Sequence, residues 1–127
     1  FYKKHKLENK MSILEEYDVL DIGGAVHNFK KTIGDKVLLL ANGDQFLTIN
    51  ESHIKEGLRL LETCDVVLFT YPVKKKNGYN KLDIKDGLLK GIINHKNVVE
   101  EDYETYTGYS LINLHKINVL YKSNVVL

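Results

Sequence analysis

A carboxylate follows the most strand-like segment of the chain. Residues 37–40 are a continuous apolar run, and after one alanine comes Asn42-Gly43-Asp44. In open α/β sheets, ligands bind beyond the carboxyl ends of the strands, and a glycine lets a ligand approach the backbone closely. Mg²⁺ is typically held by one or two carboxylates together with substrate phosphates. Asp44 is therefore a candidate metal ligand. Asn-Gly-Asp is also ordinary turn chemistry, and at this point both interpretations stay open.

A pair of glycines, Gly23-Gly24, opens a helical pattern earlier in the chain. Two glycines at a helix start let backbone N–H groups approach an anion or a nucleobase edge. The alternative is a flexible loop before a helix. No Gly-Lys-Ser/Thr follows the pair, and the G-x-G-x-x-G spacing is absent, so it is neither a phosphate loop nor a Rossmann fingerprint.

The elements that must position these residues alternate between helix and strand. Val26, Phe29 and Ile33 recur at helical spacing, and the apolar runs that follow predict strands covered on both faces. This order indicates an α/β domain with a parallel sheet, and Asp86-Gly87 between two apolar runs indicates a hairpin. We expect helices near 24–33 and 52–62, and strands at 11–14 and near 36–41, 66–71, 81–84, 89–93 and 107–112.

Composition excludes several classes of function. The 127 residues, 43% of them apolar, suit one domain. The 18 basic and 17 acidic residues nearly cancel, which disfavours nucleic acid or anionic lipid as a partner. Cys64 is the single cysteine, so no internal disulfide forms. Without a long apolar run or a leader pattern, we expect a soluble, cytoplasmic protein with no membrane partner; a homo-oligomer remains open.

Three segments, taken together, resemble the sugar-1-phosphate nucleotidyltransferases. They are LDIGGAVHNF (residues 20–29), VLLLANGDQFL (37–47) and YTGYSLINLHKI (106–117), in this order and spacing. The most similar branch is that of the small bacterial mannose-1-phosphate and heptose-1-phosphate guanylyltransferases and N-acetylmuramate-1-phosphate uridylyltransferases. The resemblance covers about residues 11–120. It implies a Rossmann-like nucleotide-diphospho-sugar transferase fold, with a mixed, mostly parallel sheet and an antiparallel hairpin extension.

The resemblance also implies a reaction. In this family a nucleoside monophosphate passes from a nucleoside triphosphate to a sugar 1-phosphate, with Mg²⁺ as cofactor, giving nucleotide sugar and pyrophosphate. Such catalysis is mostly positioning and charge neutralisation. Carried over by position, the implied residues are Asp44 for catalysis and the metal, Gly23, Gly24, Asn42 and Gly43 for the nucleotide, and Lys96, Thr107, Gly108 and Tyr109 for the sugar.

The chain departs from the family pattern in several places. The glycine-rich phosphate loop and the late segment with a second metal carboxylate are absent from these 127 residues. Ile22 stands where the family has threonine, and Asn97 follows Lys96 where the family has proline. We therefore expect residues 1–127 to be the central part of one nucleotidyltransferase domain.

Two other functions remain open. A non-catalytic fragment or regulatory remnant would keep the fold without the phosphate loop. A related sugar transferase would normally show Asp-x-Asp at the strand end, where this chain has Asn42-Gly43-Asp44.

Overall fold

The computed structural model describes residues 13–15, 21–44 and 48–117. The protein divides into two compact units: one holds helix α1 (Asp21–Ile33), and the other is Val37–Ile117. Residues 13–15 have no regular structure, so the strand predicted at 11–14 is wrong there; residues 11 and 12 lie outside the described part. In the described ranges, no helix has the length and apolarity needed to cross a membrane.

Helix α1 has an acidic residue in its first turn and ends just before a glycine. Asp21 lies in the first turn. At the other end Gly34 adopts φ 75°, and its N–H donates to the Lys30 carbonyl at 2.9 Å, which is the left-handed C-terminal cap that glycine favours. The predicted helix is confirmed, but it begins three residues earlier. Gly23 and Gly24 therefore lie inside the helix instead of at its start.

The second unit is built around one long strand. Its elements, in chain order, are β1 (Val37–Ala41), α2 (Glu51–Leu60), β2 (Val66–Lys74), β3 (Lys81–Lys85), β4 (Leu88–Ile93) and β5 (Asp102–Asn113). In the sheet β1-β5-β2, the central strand β5 pairs antiparallel with both neighbours. β1 and β2 consequently run in the same direction, with β5 inserted between them. The arrangement is a split β-α-β unit.

The mixed α/β class is confirmed, and one detail of the sheet is corrected. β1 and β2 share a direction, as a β-α-β order predicts, but they are not neighbours. Within the described residues every strand pair is antiparallel, where the sequence predicts a mostly parallel sheet. The cause is the late strand β5, because the order of earlier elements does not reveal which strand will separate them.

The strand β1 is less covered than its apolar sequence predicts. The side chains of Val37 and Leu39 are each 47% exposed, whereas the alternate residues Leu38 and Leu40 are half-buried. Among the described residues β1 pairs with β5 alone, so it is an edge strand with one packed face. The prediction of cover on both faces is wrong for this part of the chain.

A tight hairpin joins β3 to β4. Asp86 and Gly87 form its turn with φ values of 53° and 73°. Two successive left-handed residues define the type I′ turn, which matches the twist of antiparallel strands and favours Asp-Gly. The predicted antiparallel hairpin is confirmed.

Helix α2 packs closely on the sheet. Asn50 caps its start by accepting a hydrogen bond from the N–H of His53 at 3.0 Å. Gly57 is buried, and a Cβ added to it would stand 2.6 Å from Cδ1 of Leu111 and 3.3 Å from Cζ of Phe69. The helix therefore approaches β2 and β5 so closely that a Cβ at position 57 would require the Leu111 side chain to shift.

This close approach predicts that Gly57→Ala lowers the free energy of unfolding by up to about 2 kcal/mol. Alanine favours a helix by about 1 kcal/mol over glycine, but overpacking a core costs about 1–3 kcal/mol, and Leu111 is only 2% exposed. Urea unfolding followed by circular dichroism measures the difference. Gly91→Ala is the control, because the described atoms leave its Cβ position open to 4 Å. A rise of about 1 kcal/mol in Gly57→Ala, which is the helix preference of alanine alone, would show that Leu111 yields without cost.

Candidate functional site

The Asn42-Gly43-Asp44 segment forms the turn after β1. The N–H of Asn42 donates to the Gly108 carbonyl at 3.0 Å, which extends the pairing of β1 with β5. Asp44 is exposed. No described atom lies within 4 Å of a Cβ placed on Gly43, and its φ is not left-handed. Neither packing nor the turn therefore requires glycine at position 43.

The Thr107-Gly108-Tyr109 segment is a bulge in β5. The register of β2 against β5 shifts here, so that two steps along β2 oppose four along β5. Gly108 has φ 84°, which strains any other residue. Thr107 fixes the bulge, because its Oγ1 donates to the Phe69 carbonyl at 2.7 Å and accepts from the Tyr109 N–H at 3.2 Å. Bulges of this kind are common beside active sites.

A cavity of about 800 Å³ lies in the second unit. It is lined by the turn after β1 (Asn42, Asp44), by β2 and the loop after it (Tyr71, Pro72, Val73, Lys74, Asn77, Tyr79) and by β5 (Asp102, Thr105, Tyr106, Thr107, Gly108). Small-molecule sites have volumes of roughly 300–1,000 Å³. The bulge and the turn after β1 thus border a ligand-sized cavity.

The cavity brings together four predicted site residues from two distant segments. Asn42 and Asp44 reach it from the turn after β1, and Thr107 and Gly108 reach it from the bulge in β5. Gly43 lies between the first two in sequence. The structure therefore joins the Asn-Gly-Asp turn to the Thr-Gly bulge, while the roles of these residues stay predictions.

The other predicted site residues lie elsewhere. Tyr109 opposes Ala41 across the β1–β5 ladder and does not line the cavity. Lys96, also outside the lining, belongs to a short 3₁₀ turn, His95–Asn97. Gly23 and Gly24 are buried residues of α1, in the other unit. The sugar-binding role of Lys96 and the nucleotide-binding role of the two glycines stay predictions.

Sequence reasoning missed two charged residues of the cavity, Lys74 and Asp102. Lys74 stands in a run of three lysines, which is typical of a solvated loop, and Asp102 stands in a polar, acidic stretch before the predicted strand at 107–112. The structure extends β2 and β5 into these runs and makes Lys74 and Asp102 cross-strand partners. The apolar Val73 and the aromatic Tyr103 beside them are the one sequence signal of continuing strands.

The donor atoms at the Asp44 end suit a hard cation. Asp44 and Asn42 both line the cavity, and carboxylate and amide oxygens are among the ligands that Mg²⁺ takes beside substrate phosphates. In residues 13–15, 21–44 and 48–117, no three or more His, Cys, Asp or Glu side chains are grouped to hold a metal. Mg²⁺ held there would depend on ligand phosphates and water for most of its coordination.

Solved structures share this fold. HddC from Yersinia pseudotuberculosis is similar with a TM-score of 0.64 and 18% sequence identity, over 89% of this chain and 51% of that chain. The same protein complexed with GMP-PN gives a TM-score of 0.66 and 17% identity, over 91% of this chain and 54% of that chain. No family model and no curated protein sequence matches the chain.

At such low identity the similarity shows the fold alone, and the chain spans about half the length of HddC. The cavity and the turn after β1 therefore belong to a mixed α/β protein that shares the fold of HddC over that part of its length.

Proposed function

We propose that this chain carries part of the site of a nucleotidyltransferase that acts on a sugar 1-phosphate. The observation that carries the proposal is the cavity in which Asn42 and Asp44 meet Thr107 and Gly108. These are the two segments that would hold the phosphates and the sugar in the family that the sequence resembles. The shared fold with HddC, which has been solved complexed with GMP-PN, supports a nucleotide as one ligand.

The proposed reaction is a displacement at phosphorus. A phosphate oxygen of the sugar 1-phosphate forms a bond to the α-phosphorus of the nucleoside triphosphate. The bond from that phosphorus to the bridging oxygen breaks, and pyrophosphate leaves with the electron pair. No proton transfer to a protein group is needed, so the protein acts mainly by holding the two phosphates in line.

Each residue of the cavity has a proposed task in that geometry. Asp44 would bind Mg²⁺, which supplies the positive charge that neutralises the reacting phosphates. Asn42 would hold the turn against the bulge through its hydrogen bond to Gly108. The bulge residues Thr107 and Gly108 line the cavity and would border the sugar. Gly23, Gly24, Tyr109 and Lys96 keep the nucleotide and sugar roles that the resemblance implies.

Ligand titration of the whole chain tests the proposal. GTP, ATP, UTP and CTP are titrated separately by calorimetry with Mg²⁺ and with EDTA, and mannose 1-phosphate is then added. Binding of one triphosphate that requires Mg²⁺, followed by pyrophosphate release, is the expected result. Binding without release would favour the non-catalytic module, and binding of nucleotide sugars alone would favour a sugar transferase. No Mg²⁺-dependent nucleotide binding would overturn the proposal.

Gly43→Ala gives a separate prediction about the turn after β1. The described atoms leave space for the added methyl group, so the free energy of unfolding should change by no more than about 0.5 kcal/mol. If a phosphate or ribose lies against this backbone, the methyl group stands in its place, and nucleotide affinity should fall about tenfold, or about 1.4 kcal/mol. Urea unfolding tests the predicted stability, and calorimetry tests the predicted loss of nucleotide affinity. Loss of stability with unchanged affinity would assign Gly43 to folding instead.

A further inference from the structure

The bulge in β5 interrupts the pairing of β2 with β5 at one residue of β2. The pairing register moves from Leu68 to Thr70 on β2 while it advances four residues along β5. Phe69 therefore faces the three bulge residues, 107–109, and has no one-to-one partner in this register. Its carbonyl accepts a hydrogen bond from Oγ1 of Thr107 at 2.7 Å. A side-chain hydroxyl thus joins the two strands where the backbone pairing is interrupted.

The same hydroxyl spans Gly108. Oγ1 of Thr107 accepts from the N–H of Tyr109 at 3.2 Å, two residues further along the chain, which is the pattern of a threonine turn. Gly108 lies between the two bonded groups with φ 84°. Because the hydroxyl is bonded both to β2 and to the residue after Gly108, it restricts rotation of the Gly108 backbone. The direction of the Gly108 carbonyl therefore depends on the Thr107 side chain.

The Gly108 carbonyl is where the turn after β1 is bonded to β5. It accepts from the N–H of Asn42 at 3.0 Å. Within residues 13–15, 21–44 and 48–117, no other hydrogen bond joins residues 42–44 to β5. Asp44 follows Asn42 by two residues, and two residues of chain span at most about 7 Å. The place of Asp44 at the cavity therefore depends on the carbonyl that holds Asn42.

The Thr107 hydroxyl is committed to the backbone around it. The residue is only 8% exposed, although it lines the cavity. A hydroxyl carries a single proton to donate, and in Thr107 that proton goes to the Phe69 carbonyl. The hydroxyl therefore has no proton left for a hydrogen bond to a ligand, and its effect on the site passes through the backbone of the bulge.

We propose that Thr107 is a positioning residue for Asp44. Its hydroxyl sets the direction of the Gly108 carbonyl, this carbonyl holds the N–H of Asn42, and the turn that carries Asp44 is thereby fixed at the cavity. The effect on Mg²⁺ rests on the proposed function, because that function gives Asp44 the metal. Thr107 itself takes no part in the displacement at phosphorus.

Amide hydrogen exchange, measured by NMR on the whole chain without ligand, tests the positioning role. Thr107→Val removes the hydroxyl and keeps the branched shape, whereas Thr107→Ser keeps the hydroxyl. The reference is the N–H of Lys75, which donates to the Glu101 carbonyl at 2.8 Å just before the start of β5. The exchange rate of Asn42 relative to Lys75 should rise at least tenfold in Thr107→Val and stay within twofold in Thr107→Ser. Thr107→Ala, which also lacks the hydroxyl and adds no bulk, should behave as Thr107→Val does.

Thr105→Val is the matched control for a loss of stability alone. Thr105 lies in the same strand, is 9% exposed, and its Oγ1 donates to the Asn80 carbonyl at 2.8 Å. This variant also loses a buried hydroxyl, but that hydroxyl has no link to the turn after β1. Its exchange rate at Asn42, relative to Lys75, should stay within twofold of the unmodified protein. An unchanged ratio in Thr107→Val, or an equal rise in Thr105→Val, would overturn the positioning role.

Calorimetry connects the positioning role to the proposed function. GTP, ATP, UTP and CTP are titrated separately with Mg²⁺ and with EDTA. The affinity that requires Mg²⁺ should fall at least fivefold in Thr107→Val and recover to within twofold of the unmodified protein in Thr107→Ser. An unchanged affinity in Thr107→Val would overturn the action of Thr107 on the metal. No Mg²⁺-dependent binding by the unmodified protein would refute the proposed function, and the exchange ratios then decide the positioning of the turn by themselves.

Discussion

Asp44→Asn is expected to lower the affinity for nucleotide in the presence of Mg²⁺ at least tenfold, or by about 1.4 kcal/mol or more. Asparagine keeps the shape of the side chain and its preference for turns, but it lacks the negative charge that Mg²⁺ requires of a carboxylate ligand. The effect should be confined to the Mg²⁺-dependent part of the binding. With EDTA present, the two proteins should bind nucleotide equally.

The same substitution should hardly change folding. Asp44 is exposed in the turn after β1, and exposed substitutions of this kind usually change the free energy of unfolding by no more than about 0.5 kcal/mol. Asp86→Asn is the matched control, since it removes one carboxylate from the β3–β4 turn, where asparagine also tolerates a left-handed φ. Equal nucleotide affinities of Asp44→Asn and the unmodified protein would return Asp44 to the role of a turn residue.

The elements of this protein were largely predictable because their signals are local. The helices, the β3–β4 hairpin and the strand β1 each follow from spacing or turn chemistry within about a dozen residues. The place of β5 was not predictable in this way. Its pairing with β1 and β2 joins segments far apart in sequence, and its start at Asp102 lies in a polar, acidic stretch before the predicted strand at 107–112.

The residues of the candidate site also differ in whether the local sequence reveals them. Asn42 and Asp44 could be found from their place after an apolar strand, and Thr107 and Gly108 from the resemblance to a family. Lys74 was missed, since a lysine run carries no sign of its cross-strand partner, which only the register of β2 against β5 supplies. Local sequence thus identifies strand ends, and the long-range register determines which ends share a cavity.

A second large effect, on the free energy of unfolding, is expected from Lys116, the lysine that follows β5. Nζ of Lys116 donates to the carbonyls of Leu61, Glu62 and Cys64 at 3.0, 3.2 and 3.1 Å. These carbonyls lie at and just beyond the end of α2, where helices leave acceptors without intrahelical partners and favour positive charge. One ammonium group therefore ties the end of α2 to the segment after β5.

Lys116→Met should lower the free energy of unfolding by about 2–3 kcal/mol. A hydrogen bond to a charged group contributes about 1.5–3 kcal/mol, and water replaces part of that loss because the Lys116 side chain is 31% exposed. Methionine keeps the length of the apolar stem, so the change isolates the ammonium group. Urea unfolding at constant pH, followed by circular dichroism, measures the loss as a shift of the midpoint.

Lys55→Met is the matched control for Lys116→Met. Lys55 pairs with Glu51 on the surface of α2 at 2.7 Å, with side chains 72% and 81% exposed, and such pairs contribute about 0.5 kcal/mol or less. Equal losses in the two variants would show that the three carbonyls gain nothing from Lys116 that water does not supply. Lys116 does not line the cavity, so the folded variant should bind ligand as the unmodified protein does. A loss of affinity alongside the loss of stability would instead mean that the tie at the end of α2 also holds β5, and with it the bulge, in its binding geometry.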